Sequence, residues 1–520
     1  MIGSGPAGVA AAEGVAAGTA EGAAVGTVEG TAEGTAGDAV VGERSGRGPA
    51  RRQGLRLVVV DDAPAGRGGW SGRLAVAAVC EAATRNLSWT EAGTFVLQVR
   101  REVVARHEAR LLALQARLGA QALMLPGRAR LGGPGRVLVQ PSGADGRGET
   151  HLMSARRVVL ATGCVPAMPE VAGLLDTQFV TAAEVVDLLD DDRPPATAAV
   201  LGAGSTGCAL AQALARFGVA VTLVDEHETV LFGQDGDAAA VVASALRRDG
   251  VRLLLGSPVV KVAPTLDGGA WLGTTAGVDV AAERLVLATG WRAASAGLAL
   301  PSVGVAVGET GAVPVDSHLV TNVAQVLAAG GVVAGEPHAT AAQAMGAVAG
   351  VNAVSRRPAA TWSATTVATL TLTDPEVASV GLTDLGQLLD RKAVAVRPVG
   401  VTTGTAFWSE VDRAVLSGRG EGFVRVVVGG RAGAEGGRWT DRWTDRRADR
   451  RADRRADRRK VPGTARVLGA TVVGCGAGDL VAPLALAIGS GLPASVLAAT
   501  VSADPTWSSA LRLAVSRACV

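Results

Sequence analysis

The chain of 520 residues has no tyrosine, only five histidines and five cysteines, and its last histidine is His338. Cys80, Cys164, Cys208, Cys475 and Cys519 never fall at CxxC or CxxxxC spacing. Neither a zinc ligand set nor a local redox pair is therefore written in the sequence. Thinly spread thiols suit a reducing compartment, and the expected location is the cytoplasm. A strong charge excess is also missing. The formal net charge is +2, which gives no general pull toward nucleic acid or a membrane surface. The N-terminus has no basic start followed by an apolar run, so no secretory signal is read there. The long uncharged stretch 480–503 is interrupted by Pro483, Gly489, Ser490, Gly491 and Pro493. Two short core helices around a Gly-Leu-Pro turn are expected there, not a membrane span.

Glycine and apolar residues are plentiful. Hydrophobic residues make up 48% of the chain, enough for a sizeable core, and there are 70 glycines. The length exceeds one ordinary domain. Two tracts repeat every four residues. Residues 14–54 beat as "GTAE GAAV GTVE GTAE GTAG" and hold few large apolar side chains, so they read as a disordered insertion. Residues 438–460, "RWTDRWTDRRADRRADRRADRRK", are arginine-rich. A four-residue period drifts by about 40° per repeat on a helix, so no fixed apolar face forms. A solvated arm is expected, without a nucleic-acid partner.

With both tracts set aside, 1–70 reads strand, glycine turn, helix, strand. Residues 95–124 carry apolar side chains at helical spacing. Val158–Leu160 is a short buried strand ending in "ATG", and Leu285–Gly290 ends the same way. Val326–Ala329 is a further strand, followed by an alanine-rich helix from Thr340. After Pro358 come alternating strands and a helical end. The coarse result is two α/β nucleotide-binding units followed by an α+β unit.

Two glycine fingerprints carry the chemistry. The first is Gly3, Gly5 and Gly8 in "IGSGPAG"; the second is Gly202, Gly204 and Gly207 in "VLGAGSTGCALAQALARFGVAVTLVDE". Glycine permits the tight turn, lets backbone approach a pyrophosphate, and allows the helix to lie close to the strand. The helix start then offers unpaired N–H groups to the phosphates. An acid at the end of the second strand should hold ribose hydroxyls. Asp225 lies where this requires. Asp61 does so if 14–54 is an insertion within the first helix. A lone GxGxxG is weak, since a plain glycine turn reads the same. Two of them, each followed by an "ATG" strand end, argue for two nucleotide cofactors in one chain.

These features resemble the flavoprotein pyridine nucleotide–disulfide oxidoreductases, the group of dihydrolipoamide dehydrogenase, glutathione reductase and mercuric reductase. "GAGSTGCALAQALARFGVAVTL", "LVLATGWRAASAGLAL" and "VDSHLVTNVAQVLAAGG" look most like mercuric reductases. "LTDPEVASVGLTD" resembles the dimerisation-domain signature. The resemblance implies an α/β fold with two Rossmann-like domains, for FAD and NAD(P), and a C-terminal α+β dimerisation domain. It divides the chain into 1–165 (FAD-binding, first part), 166–290 (NAD(P)-binding), 291–356 (FAD-binding, second part) and 357–520 (dimerisation). Gly3, Gly5, Gly8 and Asp61 would contact FAD. Gly202, Gly204, Gly207 and Asp225 would contact the nicotinamide cofactor, with NADH favoured because an acid suits a free 2′-hydroxyl and no arginine follows it closely. Gly163, Gly290, Gly330 and Gly331, at the "ATG" and "AAGG" strand ends, count as cofactor-binding with them.

The departures from the family decide the expected reaction. Its Cys-x4-Cys pair and Pro-Ser-Lys, which follow a double glycine, are absent from "GGWSGRLAVAAVCEA". The glutamate that pairs with the family lysine aligns with Ala209, so both partners are gone together. Losing only one would leave a buried charge unpaired, at about 3–5 kcal/mol. The C-terminal "HPT…E" dyad reads "DPTWSS", with Asp504 and Ser509 in place of histidine and glutamate. The aspartate of "AAGD", which holds the flavin's ribityl chain, is Gly331. Mercuric reductases also use a C-terminal cysteine pair and tyrosines near the metal; here a single Cys519 stands and no tyrosine. The expected activity is FAD-dependent NAD(P)H oxidation by a homodimer, with electrons passing to a small non-disulfide acceptor such as a quinone. No side chain is named as acid or base and no metal is expected. The alternatives are a catalytically impaired pseudoenzyme and a mercuric reductase.

Overall fold

The computed structural model describes residues 6–20, 57–61, 72–119, 122–133, 135–141, 150–334, 338–383, 398–431 and 465–519. Gly3, Gly5, residues 21–54 of the first repeat tract and all of 438–460 lie outside the described residues. The chain divides into two units, Met1–Val171 with Phe179–Pro194 and Val286–Ser363, and Ala172–Gln178 with Pro195–Leu285 and Ala364–Val520.

In the first unit, helix Pro6–Ala20 lies against helix Ala339–Val354. Glycines make this approach possible. A β-carbon added at Gly346 would overlap the Ala7 carbonyl oxygen, and one at Gly350 the Ala11 carbonyl oxygen. Helix Pro6–Ala20 runs on through Gly14, so the first residues of the repeat tract are helical. Strand Leu57–Asp61 pairs in parallel with Ala122–Gly133, Val59 opposite Met124 and Asp61 opposite Pro126. The second of these strands turns back through Arg136–Pro141 and His151–Ser154. Strand Val158–Leu160 pairs in parallel with Val326–Ala328, and all six residues are buried. Burial on both faces explains why these strands read as unbroken apolar runs.

The helix expected over 95–124 runs instead over Trp89–Leu118. Ser88 starts it with a capping box: its hydroxyl accepts the Glu91 N–H, and the Glu91 carboxylate accepts the Ser88 N–H. Gly119, at φ +54°, ends it, and the residues from Ala122 become strand. Local capping overrode the apolar spacing at both ends.

In the second unit, parallel strands Thr197–Leu201, Ala220–Val224 and Arg252–Leu254 lie side by side. Helix Ser205–Arg216 follows the first strand, and helix Gly236–Arg248 follows the second. A three-stranded antiparallel sheet follows, Val259–Pro264, Ala270–Thr274 and Val280–Ala282. The last part of the unit is a five-stranded antiparallel sheet in the order Thr369–Thr371, Glu376–Gly381, Arg466–Gly474, Phe423–Arg431, Pro398–Phe407. Its core includes fully buried Trp408, whose indole N–H donates to the Val473 carbonyl. The two strands that flank the arginine-rich tract pair antiparallel up to Gly429 and Arg466, so the tract joins hairpin partners. Lengthening such a turn costs little.

Two helices, Ala477–Ser490 and Ala494–Ala499, meet around the Gly-Leu-Pro turn. Pro483 does not interrupt the first of them. The helix passes through it and ends at Gly491, φ +61°, whose N–H reaches the Ala487 and Ile488 carbonyls. No helix among the described residues is long and apolar enough to cross a membrane.

Candidate functional site

The second fingerprint is built by a strand, a glycine turn and a helix in the second unit. After Leu201 the chain turns at Gly202, whose φ of +105° is open to glycine alone among common residues. Its N–H donates to the Val224 carbonyl at 2.8 Å, joining the turn to the neighbouring strand. Gly204 begins helix Ser205–Arg216 with no side-chain cap, and a β-carbon built there meets nothing within 4 Å. Gly207 is buried one turn further on. The helix thus starts at one exposed, uncapped glycine, with Ser205 and Thr206 half-buried behind it, and the unpaired N–H groups of such a start suit an anion.

Asp225 stands just past strand Ala220–Val224 and reaches back to this turn. Its Oδ2 accepts the Ala203 N–H. Its Oδ1 accepts the His227 N–H and the His227 ring Nδ1, each at 2.8 Å. The Ala203 carbonyl accepts the Leu231 N–H at 2.9 Å and the Cys208 thiol at 3.1 Å. Cys208 is fully buried beneath the turn, and burial pushes its thiol up to about 12, so it stays protonated. Ser205 Oγ accepts from Gln234 Nε2 at 3.1 Å and from the Thr371 hydroxyl at 2.8 Å. The loop at this helix start is therefore fixed from both sides. His227, Cys208 and Ser205 carry no spacing signal of their own and were not singled out from the sequence.

The two "ATG" strand ends share one construction in the first unit. The Thr162 hydroxyl donates to the Ala294 carbonyl at 2.7 Å, and the Ala294 N–H donates to the Gly163 carbonyl at 3.0 Å. The Thr289 hydroxyl donates to the Ala167 carbonyl at 2.8 Å, and the Ala167 N–H to the Gly290 carbonyl at 2.9 Å. Between them, Cys164–Pro166 and Trp291–Ala293 pair antiparallel. Each threonine–glycine pair thus grips the strand that follows the other. Gly163 and Gly290 both have open space where a side chain would stand.

The first fingerprint is described in part. Gly8 is buried in helix Pro6–Ala20. Asp61 is the last residue of its strand, and its side chain lies outside the described residues. Gly330 packs on this helix, its would-be β-carbon 2.8 Å from the Ala7 β-carbon. At Gly331 a β-carbon would lie 2.9 Å from Cys164 Sγ and 3.1 Å from both the Cys164 nitrogen and the Gly163 carbonyl carbon. Gly8, Gly163, Gly330 and Gly331 are therefore brought together. A side chain at the position of the expected ribityl acid would require Cys164 Sγ to shift. Cys80 is buried within helix Gly72–Thr84.

The residues present fit a dinucleotide at the second fingerprint: an open glycine at an uncapped helix start, with a carboxylate at the next strand end. On the FAD side, only Gly163 has open space beside its backbone; Gly330 is packed between Ala7 and Ala342, and Gly331 offers no acceptor side chain.

The profile of the pyridine nucleotide-disulphide oxidoreductase family matches residues 1–346, and that of the family's dimerisation domain matches residues 460–515. A mercuric reductase of Streptomyces lividans is 29% identical over 371 residues, which is 71% of this chain and 69% of that protein. A mercuric reductase of Shigella flexneri is 30% identical over 286 residues, 54% of this chain and 48% of that one, so the chain spans about half of the latter enzyme. Dihydrolipoyl dehydrogenase 3 of Haloarcula marismortui is 26% identical over 404 residues, 76% of this chain and 75% of that protein. Among solved structures, LpdA from Mycobacterium tuberculosis superposes with a TM-score of 0.75 at 23% identity, covering 99% of this chain and 98% of that one. The HOCl-induced flavoprotein disulfide reductase RclA of Escherichia coli gives a TM-score of 0.73 at 18% identity with the same coverage. At these identities the superpositions establish the shared fold.

Proposed function

Because this chain belongs to the pyridine nucleotide-disulphide oxidoreductase family, we propose that it is an FAD-dependent NAD(P)H oxidoreductase whose final acceptor is a small non-disulfide molecule of quinone type. The observation that carries the reading is the second fingerprint: Gly204 lies open at an uncapped helix start, with the Asp225 carboxylate at the adjoining strand end. FAD, when bound, supplies the two-electron chemistry that takes a hydride from the nicotinamide and releases electrons to the acceptor. The chain's own groups bind and orient. The N–H groups after Gly204 receive the pyrophosphate, and Asp225 accepts a ribose hydroxyl. Open Gly163 and the backbone at Gly330 and Gly331 are assigned to FAD with Gly3, Gly5, Gly8 and Asp61. No side chain of this chain is assigned a proton-transfer task. The Cys-x4-Cys motif is missing from the sequence, so disulfide reduction is not part of the proposal.

NADH is favoured over NADPH, since a carboxylate repels a 2′-phosphate. The dimerisation domain matched at 460–515 supports a homodimer. We assign residues 1–165 and 291–356 to FAD, 166–290 to the nicotinamide cofactor and 357–520 to dimerisation, with a cytoplasmic location suited to five free thiols.

A second reading, an impaired pseudoenzyme that holds FAD poorly, is favoured by the lack of an acceptor side chain at Gly331, where Cys164 leaves little room for one. The visible spectrum of the purified protein separates the two. Yellow protein that NADH bleaches anaerobically supports the oxidoreductase. Colourless protein that does not take up added FAD overturns it. Mercuric reduction, suggested by the names of several relatives, requires mercury-dependent NAD(P)H oxidation that Cys519→Ala abolishes.

A further inference from the structure

The geometry points to His227 as the residue that positions Asp225 and so sets which dinucleotide the second fingerprint accepts, an inference that rests on the coenzyme reading above. An ionised carboxylate offers about four acceptor directions. Three of those of Asp225 are occupied from within the chain. Oδ2 takes the Ala203 N–H, and Oδ1 takes both the backbone N–H and the ring Nδ1 of His227 at 2.8 Å each. A carboxylate oxygen only accepts, so the ring carries its proton on Nδ1 and donates it. One direction, on Oδ2, is left for a single ribose hydroxyl.

The same bonds fix the acid in space. One tether comes from the glycine turn and two from His227, two residues further along the chain, so rotating the carboxylate breaks bonds on both sides. The ring is itself held. It stacks on Phe232, with centroids 4.0 Å apart and planes at 23°. The His227 carbonyl accepts the Gly256 N–H at 2.8 Å, and the Asp225 carbonyl accepts the Ser257 N–H at 2.9 Å. The imidazole is partly exposed and Phe232 is 68% exposed, while the Asp225 side chain beneath them is 14% exposed, so a solvent-borne ligand meets the acid at its edge.

This arrangement discriminates. A ribose with a free 2′-hydroxyl brings a donor to the one open acceptor direction. A 2′-phosphate brings acceptors and charge, and it finds the Nδ1 proton already engaged by Asp225. His227 thus withholds a donor from the phosphate and holds the repelling carboxylate in place. Replacing it by alanine lets the carboxylate swing away from a 2′-phosphate, though it restores no donor, and weakens the hold on NADH.

The test is calorimetric titration of the wild-type flavoprotein, His227→Ala and His227→Asn with NADH and separately with NADPH, with steady-state kinetics alongside. Asparagine carries an amide donor near the place of Nδ1. In His227→Ala, NADH affinity falls about threefold to tenfold, as expected for the net worth of one ordinary hydrogen bond that acts through the carboxylate. NADPH affinity does not fall, so the preference narrows by a similar factor. KM for NADH rises while kcat at saturation is unchanged, and His227→Asn keeps most of the wild-type preference. An unchanged NADH-to-NADPH ratio in His227→Ala, or an equal loss for both coenzymes, overturns the assignment, as does an asparagine variant no better than alanine. If the wild-type protein binds neither dinucleotide, the coenzyme reading fails and this inference with it, a result distinct from normal binding with an unaltered ratio.

Discussion

Gly331 shows how one residue carries two messages. In the sequence it marks the loss of an acid; in the structure it also marks a place where a returning acid would have to displace a neighbour. The space for its side chain is closed by Cys164 Sγ and by backbone at 163–164. Gly331→Asp alone is therefore expected to lower the melting temperature, since overpacking of this kind costs about 1–3 kcal/mol. Cys164→Ala with Gly331→Asp removes the nearest contact and should recover part of the loss, the backbone contacts at 3.1 Å remaining. Thermal melts of the two variants and of Cys164→Ala alone give the coupling, and additive effects would mean that the sulfur is not the obstacle. The pairing was not legible beforehand, because the two residues meet only through the fold. Asp225 was legible from its distance to the fingerprint, whereas His227 was not, because a histidine near an acid announces nothing until its ring is placed. Cys208 makes a sharper statement. Its thiol, pushed up to about 12 by burial, should resist alkylation at pH 8 in the native protein and react once the chain is unfolded. Mass spectrometry of the labelled peptide decides it, and native-state labelling would contradict the packing beneath the glycine turn.

At the scale of elements, the contact between helices Pro6–Ala20 and Ala339–Val354 depends on glycine in a way that composition conceals. The β-carbon of Gly346→Ala would overlap the Ala7 carbonyl oxygen, and backbone cannot yield as a side chain does. The helices must separate, and each loses close packing along its length. The expected result is a loss of several degrees or more in melting temperature. Gly268→Ala is the comparison for a turn glycine with open space, because its strain at φ +81° is local and no neighbour is displaced. Equal effects would deny the close approach its importance. The existence of these helices was readable from their alanine-rich, apolar runs. Their partnership was not, since a helix with small apolar residues on every side shows no preferred face. Boundaries depended on chemistry that periodicity does not record. Ser88 and Glu91 moved one helix start six residues ahead of the apolar pattern's opening at 95, and Gly491, not Pro483, ended another.

For the whole molecule, the pairing of two fingerprints with a β-rich C-terminal part was legible because each carries its own period and turn signals. The five-strand order was not, since it depends on which distant strands find each other. That C-terminal part holds two carboxylates whose environments pull stability in opposite directions with pH. Glu410 accepts two hydrogen bonds from Arg517 and one from the Phe407 N–H, and these lower it from 4.5 to about 2. Its contribution is present above the unfolded value near 4.5 and is lost as pH falls toward 2. Glu376 is raised chiefly by burial, against the opposing bond from the Gly478 N–H. Its ionised form therefore costs stability as pH rises through its folded value, and that cost is absent below 4.5. Melting curves from pH 2 to 8 should separate the two. Glu410→Gln is expected to melt below wild type at pH 7, with the gap closing between 4.5 and 2 and shrinking in high salt, because the Arg517 pair is exposed. Glu376→Gln keeps an oxygen for the Gly478 N–H and should melt above wild type at pH 7, with that advantage gone in acid. A Glu376→Gln protein that melts lower at neutral pH would show that the ionised carboxylate is needed at the start of helix Ala477–Ser490, its favourable interaction with the helix N–H groups outweighing the burial that raises it.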